Sequence, residues 1–196
     1  MAKTAGLLRD GLGVSPGDRV AVRLPPHWQA LACAMACWAM GACIVLDSLD
    51  DLAVAVVGPD ELDLDAPEVV ALSLRPLGAR FTDPLPPGVL DFALEVPSYP
   101  DRMAYSAPDP AEPGLDGSGV AQTLGGLVAH AADRVAQLGV QRGSRLLVPA
   151  VDLRASLSDG LLVPLTVGGS SVLVRHEKAA GRKARMAAER VTAVAG

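Results

Sequence analysis

Three cysteines and three histidines are the chain's whole stock of soft metal ligands and neutral-pH proton carriers. Cys33 and Cys37 stand four residues apart, a spacing that puts two side chains on one helical face, and Cys43 follows shortly after. A metal centre would need His27 or another ligand beside them. The surrounding segment is uncharged and apolar, so the thiols are read as small buried side chains and no metal is expected. His27, His130 and His176 lie far apart, and His130 falls in a predicted helix, where a packed or surface role is expected. The carboxylate pair Asp50-Asp51 belongs to an acidic stretch with Asp47, Asp60, Glu61, Asp63 and Asp65, and reads as solvated loop charge. Gly117-Ser118-Gly119 lacks the spacing of a nucleophile elbow. Gly11-Leu12-Gly13 precedes a strand, whereas a dinucleotide-binding turn follows one. No catalytic residue is expected from this set.

The elements that would carry any chemistry are organised around Leu12–Leu46. A turn, Gly13-Val14-Ser15-Pro16-Gly17-Asp18, leads into a predicted strand Arg19–Leu24, which Pro25-Pro26 ends. A helix without a charged side chain follows over His27–Met40, closed by Gly41-Ala42, and Cys43–Leu46 opens a second strand. This is a βαβ unit whose crossover helix is apolar nearly all round and therefore buried. Leu7, Leu8 and Leu12 at helical spacing place a helix over Met1–Asp10. Further strands are predicted at Ala53–Val57 and Val69–Leu74, the latter followed by Arg75-Pro76-Leu77-Gly78, and a helix at Val89–Val96. The Pro-rich stretch over residues 99–119 reads as a linker or long surface loop. Thr123 is a suitable N-cap for a helix Leu124–Leu138, which Gly139 ends.

The opening then recurs 126 residues on. Leu138-Gly139-Val140-Gln141-Arg142-Gly143-Ser144-Arg145 matches Leu12-Gly13-Val14-Ser15-Pro16-Gly17-Asp18-Arg19. A strand Leu146–Val148, a helix Ala155–Val167 and a strand Val172–Val174 complete the second copy. The expected fold is α/β: two pseudo-symmetric βαβ halves with mainly parallel sheets, right-handed crossovers and packed helices. The expected organisation is a first subdomain over 1–98, a linker over 99–119, a second subdomain over 120–175 and a basic C-terminal helix over 176–196.

Composition narrows the function classes. Of 196 residues, 50% are hydrophobic and 20% charged, which suits a packed domain and not a disordered one. A formal charge of −5 argues against nucleic-acid binding. Trp28–Leu46 is uncharged and about as long as a membrane span, but Gly41 interrupts it, and a helix followed by a buried strand accounts for it better. No membrane association is expected. With no secretory signal at the start and an odd cysteine count, the expected location is cytoplasmic.

Gly13-Val14-Ser15-Pro16-Gly17-Asp18-Arg19-Val20-Ala21-Val22, with Leu24-Pro25 and Gly41-Ala42, resembles the N-terminal region of the adenylate-forming superfamily, which includes acyl-CoA synthetases and the adenylation domains of peptide synthetases. The likeness is good over Leu12–Val45 and weaker over the rest of the chain. It implies the large N-terminal domain of that family, with its two sheet subdomains, and an ATP phosphate loop rich in Ser, Thr and Gly and carrying a lysine. The corresponding place here is the stretch from Asp101 to Pro113, where Tyr105 and Ser106 stand at the loop's start. Three prolines, Asp109 and Glu112 follow, without a glycine run, a threonine pair or a lysine. Prolines lack N–H donors and carboxylates repel phosphate. The family's later signatures and its C-terminal lid are absent, and Gly181-Arg182-Lys183 is read as a chance likeness to the family's hinge motif. The resemblance therefore implies a short, degenerate member that keeps the scaffold for binding or assembly, with no cofactor expected and no adenylation. The alternative is a carboxylic-acid-activating ligase that binds ATP or AMP at a non-standard site or works with a second chain. A protein partner or a homo-oligomer is expected to cover the surface that the family's missing half would occupy.

Overall fold

The computed structural model describes residues 1–104, 106–117, 119–176 and 179–195. Contacts divide the chain into two compact units, one of residues 1–25 and 32–125, the other of residues 26–31 and 126–196.

The first unit is built on a seven-stranded sheet. Its strands are β1 (Arg19–Arg23), β2 (Cys43–Val45), β3 (Leu52–Val57), β4 (Val69–Ala71), β5 (Val89–Asp91), β6 (Pro113–Asp116) and β7 (Gln122–Thr123). The order is β5-β4-β3-β1-β2-β6-β7, and every pairing is parallel except β6 with β7. The core strands read as near-continuous Val and Ala because a sheet interior to an α/β layer is covered on both faces. Val20, Ala21, Ile44, Val45, Val54 and Ala55 are fully buried. Helix α1 (Ala2–Gly6) runs on into a π-helical turn, Leu7–Gly11, which buries Leu7 and Leu8. Helix α2 (Trp28–Ala39) is the predicted crossover, and along it Ala30, Cys33, Ala34, Ala36 and Cys37 are fully buried.

The second unit carries a three-stranded parallel sheet, with β8 (Arg145–Pro149) between β9 (Ser170–Val174) and β10 (Ala193–Val194). The remaining helices of the chain are α3 (Phe92–Glu95), α4 (Leu124–Leu138), α5 (Leu153–Leu157), α6 (Val163–Thr166) and α7 (Ala179–Ala188). The fold is α/β with mainly parallel sheets and packed helices, as the sequence implied.

The repeat is real at the level of single hydrogen bonds. The Ser15 N–H donates to the Asp18 carboxylate at 2.8 Å, and the Gln141 N–H to the Ser144 hydroxyl at 2.9 Å. The Gly17 N–H donates to the Gly41 carbonyl at 2.8 Å, and the Gly143 N–H to the Val167 carbonyl at 2.9 Å. Gly17 and Gly143 have φ of 87° and 77°, a left-handed backbone that glycine adopts without a Cβ penalty. The same turn therefore launches β1 and β8.

Four predicted elements are corrected. Val89–Val96 is not one helix: Val89–Asp91 pairs with β4, and the helix starts only at Phe92, where the Asp91 carboxylate accepts the Ala93 N–H at 2.9 Å. The stretch 99–119 is not wholly loop: Pro113–Asp116 pairs with β2, with Leu115 buried, and the proline takes the first strand position, where its missing N–H costs least. The Ala155–Val167 helix begins earlier, capped by Asp152 accepting the Ala155 N–H at 2.7 Å, and is interrupted by a π-helical turn over Ser158–Leu162. In the tail, α7 is shorter than read, and Ala193–Val194 adds a strand beside β8. Among the described residues no helix is long and apolar enough to cross a membrane.

Candidate functional site

Tyr105, the first of the two residues placed at the phosphate-loop position, lies outside the described residues, as do Ser118 and Lys178. Ser106 is exposed on irregular chain. The residues after it close on themselves. The Asp109 carboxylate accepts the Ala111 N–H at 2.9 Å, and the Asp109 carbonyl accepts the Glu112 N–H at 3.0 Å. The Pro110 carbonyl accepts the Gly125 N–H at 2.8 Å, and the Glu112 carbonyl the Leu124 N–H at 2.9 Å. This is an Asx turn delivering the chain into β6. The amides of residues 111 and 112 are spent inside it, and what it presents to solvent is the exposed Asp109.

The other chemically suggestive residues do not converge. Among the described residues, no group of three or more His, Cys, Asp or Glu side chains is placed to hold a metal ion. Burial pushes the Cys33 thiol up to about 12 and Cys37 higher still, so neither is a ready thiolate ligand or nucleophile. Asp50 accepts the Ser48 hydroxyl at 2.9 Å, and Asp51 is the turn residue beside it, with φ of 52°.

The sheet of the first unit points elsewhere. In an open parallel sheet, ligands settle outside the carboxyl ends of the strands, where connections leave in opposite directions. Here that rim is formed by the ends of β1, β3, β4 and β5. At its centre Arg23 is committed to structure: its guanidinium donates to Glu61 at 2.8 Å and to the Leu46 carbonyl at 2.9 Å. Toward the β5 edge the rim opens into a cleft of about 630 Å³. Arg75, Arg80 and Thr82 line it from the β4–β5 connection, with Phe81 and Leu94 as apolar surface, and the carboxylates of Asp83, Asp91 and Glu95 oppose the two guanidinium charges.

The connection is held in a defined shape. Asp91, which is 9% exposed, accepts the Phe81 N–H at 3.0 Å as well as the Ala93 N–H. The Ser73 hydroxyl donates to the Ala79 carbonyl, and the Arg75 guanidinium to the Arg80 carbonyl at 3.2 Å. Leu74 and Leu77 have φ of 55° and 60°, a backbone region that costs a non-glycine residue on the order of 1–3 kcal/mol. With three carboxylates against two guanidinium groups, the cleft carries no excess of positive charge and is not selective for an anion. In the sequence Arg75-Pro76-Leu77-Gly78 shows as a turn, with no feature that marks a site. The usable signal was its place after a predicted parallel strand.

No protein-family model matches the chain. A curated relative from Mycobacterium tuberculosis, described as a TIGR03089 family protein, is 38% identical over 204 residues, covering 98% of this chain and 80% of its own. Among solved structures, an acyl-CoA synthetase from Brucella canis has a similar fold, with a TM-score of 0.80 at 20% identity. That match covers 100% of this chain but only 40% of the synthetase, so the chain spans well under half the length of that enzyme.

Proposed function

The chain belongs to the TIGR03089 family, and from that premise we propose that it is an adenylate-forming-type scaffold that binds or assembles without adenylating a substrate. The observation that carries this reading is the turn over residues 109–112. An ATP phosphate loop works by aiming free backbone N–H groups at phosphate oxygens. Here the amides of Ala111 and Glu112 are turned onto Asp109, prolines remove further donors, and an exposed carboxylate stands in their place. On this reading the residues lack the donors that a nucleoside triphosphate needs. What the scaffold retains is an open cleft at the end of β4 and β5, lined by Arg75, Arg80 and three carboxylates. Self-association, or a protein partner, completes the reading.

The test is a thermal-shift titration of the whole chain with ATP, AMP and a non-hydrolysable acyl-adenylate mimic, alongside ATP–pyrophosphate exchange. A ligand at about 100 times its Kd adds roughly 2.7 kcal/mol, which is several degrees for a chain of this size. The expected result is a cooperative melt unmoved by any of the three, with no exchange. A shift of that size with ATP or the mimic, or measurable exchange, overturns the reading.

A second reading is favoured by the 40% coverage of the synthetase: a ligase acting on a carboxylic acid, completed by another chain. Copurification of a chain that restores exchange would establish it.

A further inference from the structure

The second unit contains a smaller cleft, of about 410 Å³, at the carboxyl end of β9. Its volume falls within the range of small-molecule sites. The walls are apolar: Trp28 and Leu31 from the first turn of α2, and Leu173 from β9. Three polar groups enter it, those of His27, Ser171 and Arg175.

Each polar group has a defined capacity. The Ser171 hydroxyl donates to the Gly160 carbonyl at 2.6 Å, which leaves its oxygen facing the cleft as an acceptor. His27 accepts the Gln29 N–H on Nδ1 at 3.3 Å, which places its proton on Nε2 as a donor. Burial and the charge of Arg175 hold His27 below its ordinary value, so it is neutral near pH 7. Arg175 supplies the charge. Arg9, Arg19, Arg23, Arg134 and Arg145 each pair with a carboxylate. Arg175 makes no hydrogen bond or ion pair among the described residues, and its charge reaches His27. Beside it Trp28 is 55% exposed, its ring 5.6 Å from that of His27 and tilted 38° to it. A large indole left half in water next to a guanidinium without a partner among the described residues is the arrangement that takes a flat apolar body on one side and an anionic group on the other.

We propose that this cleft is a binding site for a small organic anion, in which Arg175 receives a carboxylate or sulfonate and Trp28 and Leu173 receive a flat apolar body. The Ser171 hydroxyl proton is committed to the Gly160 carbonyl, and the proposal is for binding alone. The proposal is independent of the nucleotide question and of the cleft at Arg75 and Arg80.

Isothermal titration calorimetry on the full chain tests it, with 2-naphthoate as the anionic probe and 2-naphthamide as its uncharged counterpart. A charge-assisted hydrogen bond is worth about 1.5–3 kcal/mol, so the naphthoate should bind at least about tenfold more tightly than the amide, at one site. Arg175→Gln should bring the naphthoate down to the amide's affinity, Trp28→Ala should weaken both, and Arg142→Gln, at an exposed turn, should change neither. Far-UV circular dichroism melts confirm that the variants are folded. No naphthoate binding up to millimolar concentration, equal binding of acid and amide, or unchanged binding by Arg175→Gln overturns the proposal.

Discussion

At the scale of the residue, the three cysteines show how position overrides chemical potential. Cys33 and Cys37 share a face of α2, as their spacing implied, and both are wholly buried. A thiolate in that setting loses its hydration with no charge to replace it, so both groups titrate far above the ordinary thiol range. Cys43 is also raised by burial, partly offset by the charge of Arg19. In native buffer near pH 8, labelling of Cys33 and Cys37 by a disulfide reagent should be roughly a thousandfold slower than in denaturant. Cys43 should be the fastest of the three. Rapid labelling of Cys33 or Cys37 in the native chain would show that α2 opens far more readily than its burial implies. Gly169 makes the opposite point: it is chosen for space. A Cβ there would lie 2.2 Å from the Ser144 carbonyl oxygen, which already accepts the Ser170 N–H at 3.0 Å.

At the scale of the element, the π-helical turn over Ser158–Leu162 has a use. It places Asp159, which is 8% exposed, against Arg134 on α4. The guanidinium donates to both carboxylate oxygens, at 2.9 Å and 2.6 Å, and this pairing raises the Arg134 pKa further. Asp159 is buried and Arg134 partly so, and removing the arginine strands the carboxylate, so Arg134→Ala should destabilise the chain by about 2 kcal/mol. That lowers Tm by several degrees. Arg134→Ala/Asp159→Ala should recover part of the loss, because no charge is then left buried alone. A double-mutant cycle on thermal melts checks both, and additive losses would mean the pair contributes nothing as a pair.

At the scale of the whole molecule, sheet edges are the exposed liability. Among the described residues β9, of five residues, pairs with β8 alone, and β5 has β4 as its one strand neighbour. Unpaired edges template association unless charge or cover prevents it, and β9 carries no charged residue. Sedimentation velocity from micromolar to near-millimolar concentration should show a concentration-dependent dimer. A single monomeric species throughout would remove self-association from the proposed function.

The amino-acid sequence by itself determined the βαβ unit around β1, α2 and β2, the second copy of its turn and strand, and the parallel α/β class. These are local patterns: glycines at left-handed turns, an uncharged helix, and apolar runs long enough to read. Its expectation that the stretch after Ser106 is unsuited to phosphate rests on missing donors and added carboxylates, which are legible in composition. Tertiary structure alone decided β5, β6 and β10, because strands of two to four residues have no periodicity and exist only through the neighbour they pair with. It alone brought Arg75 to Arg80 across a strained connection, and Arg175 to Trp28 across most of the chain length. A site assembled from residues distant in sequence leaves no local signature, because only the packing of the elements that carry them fixes its geometry.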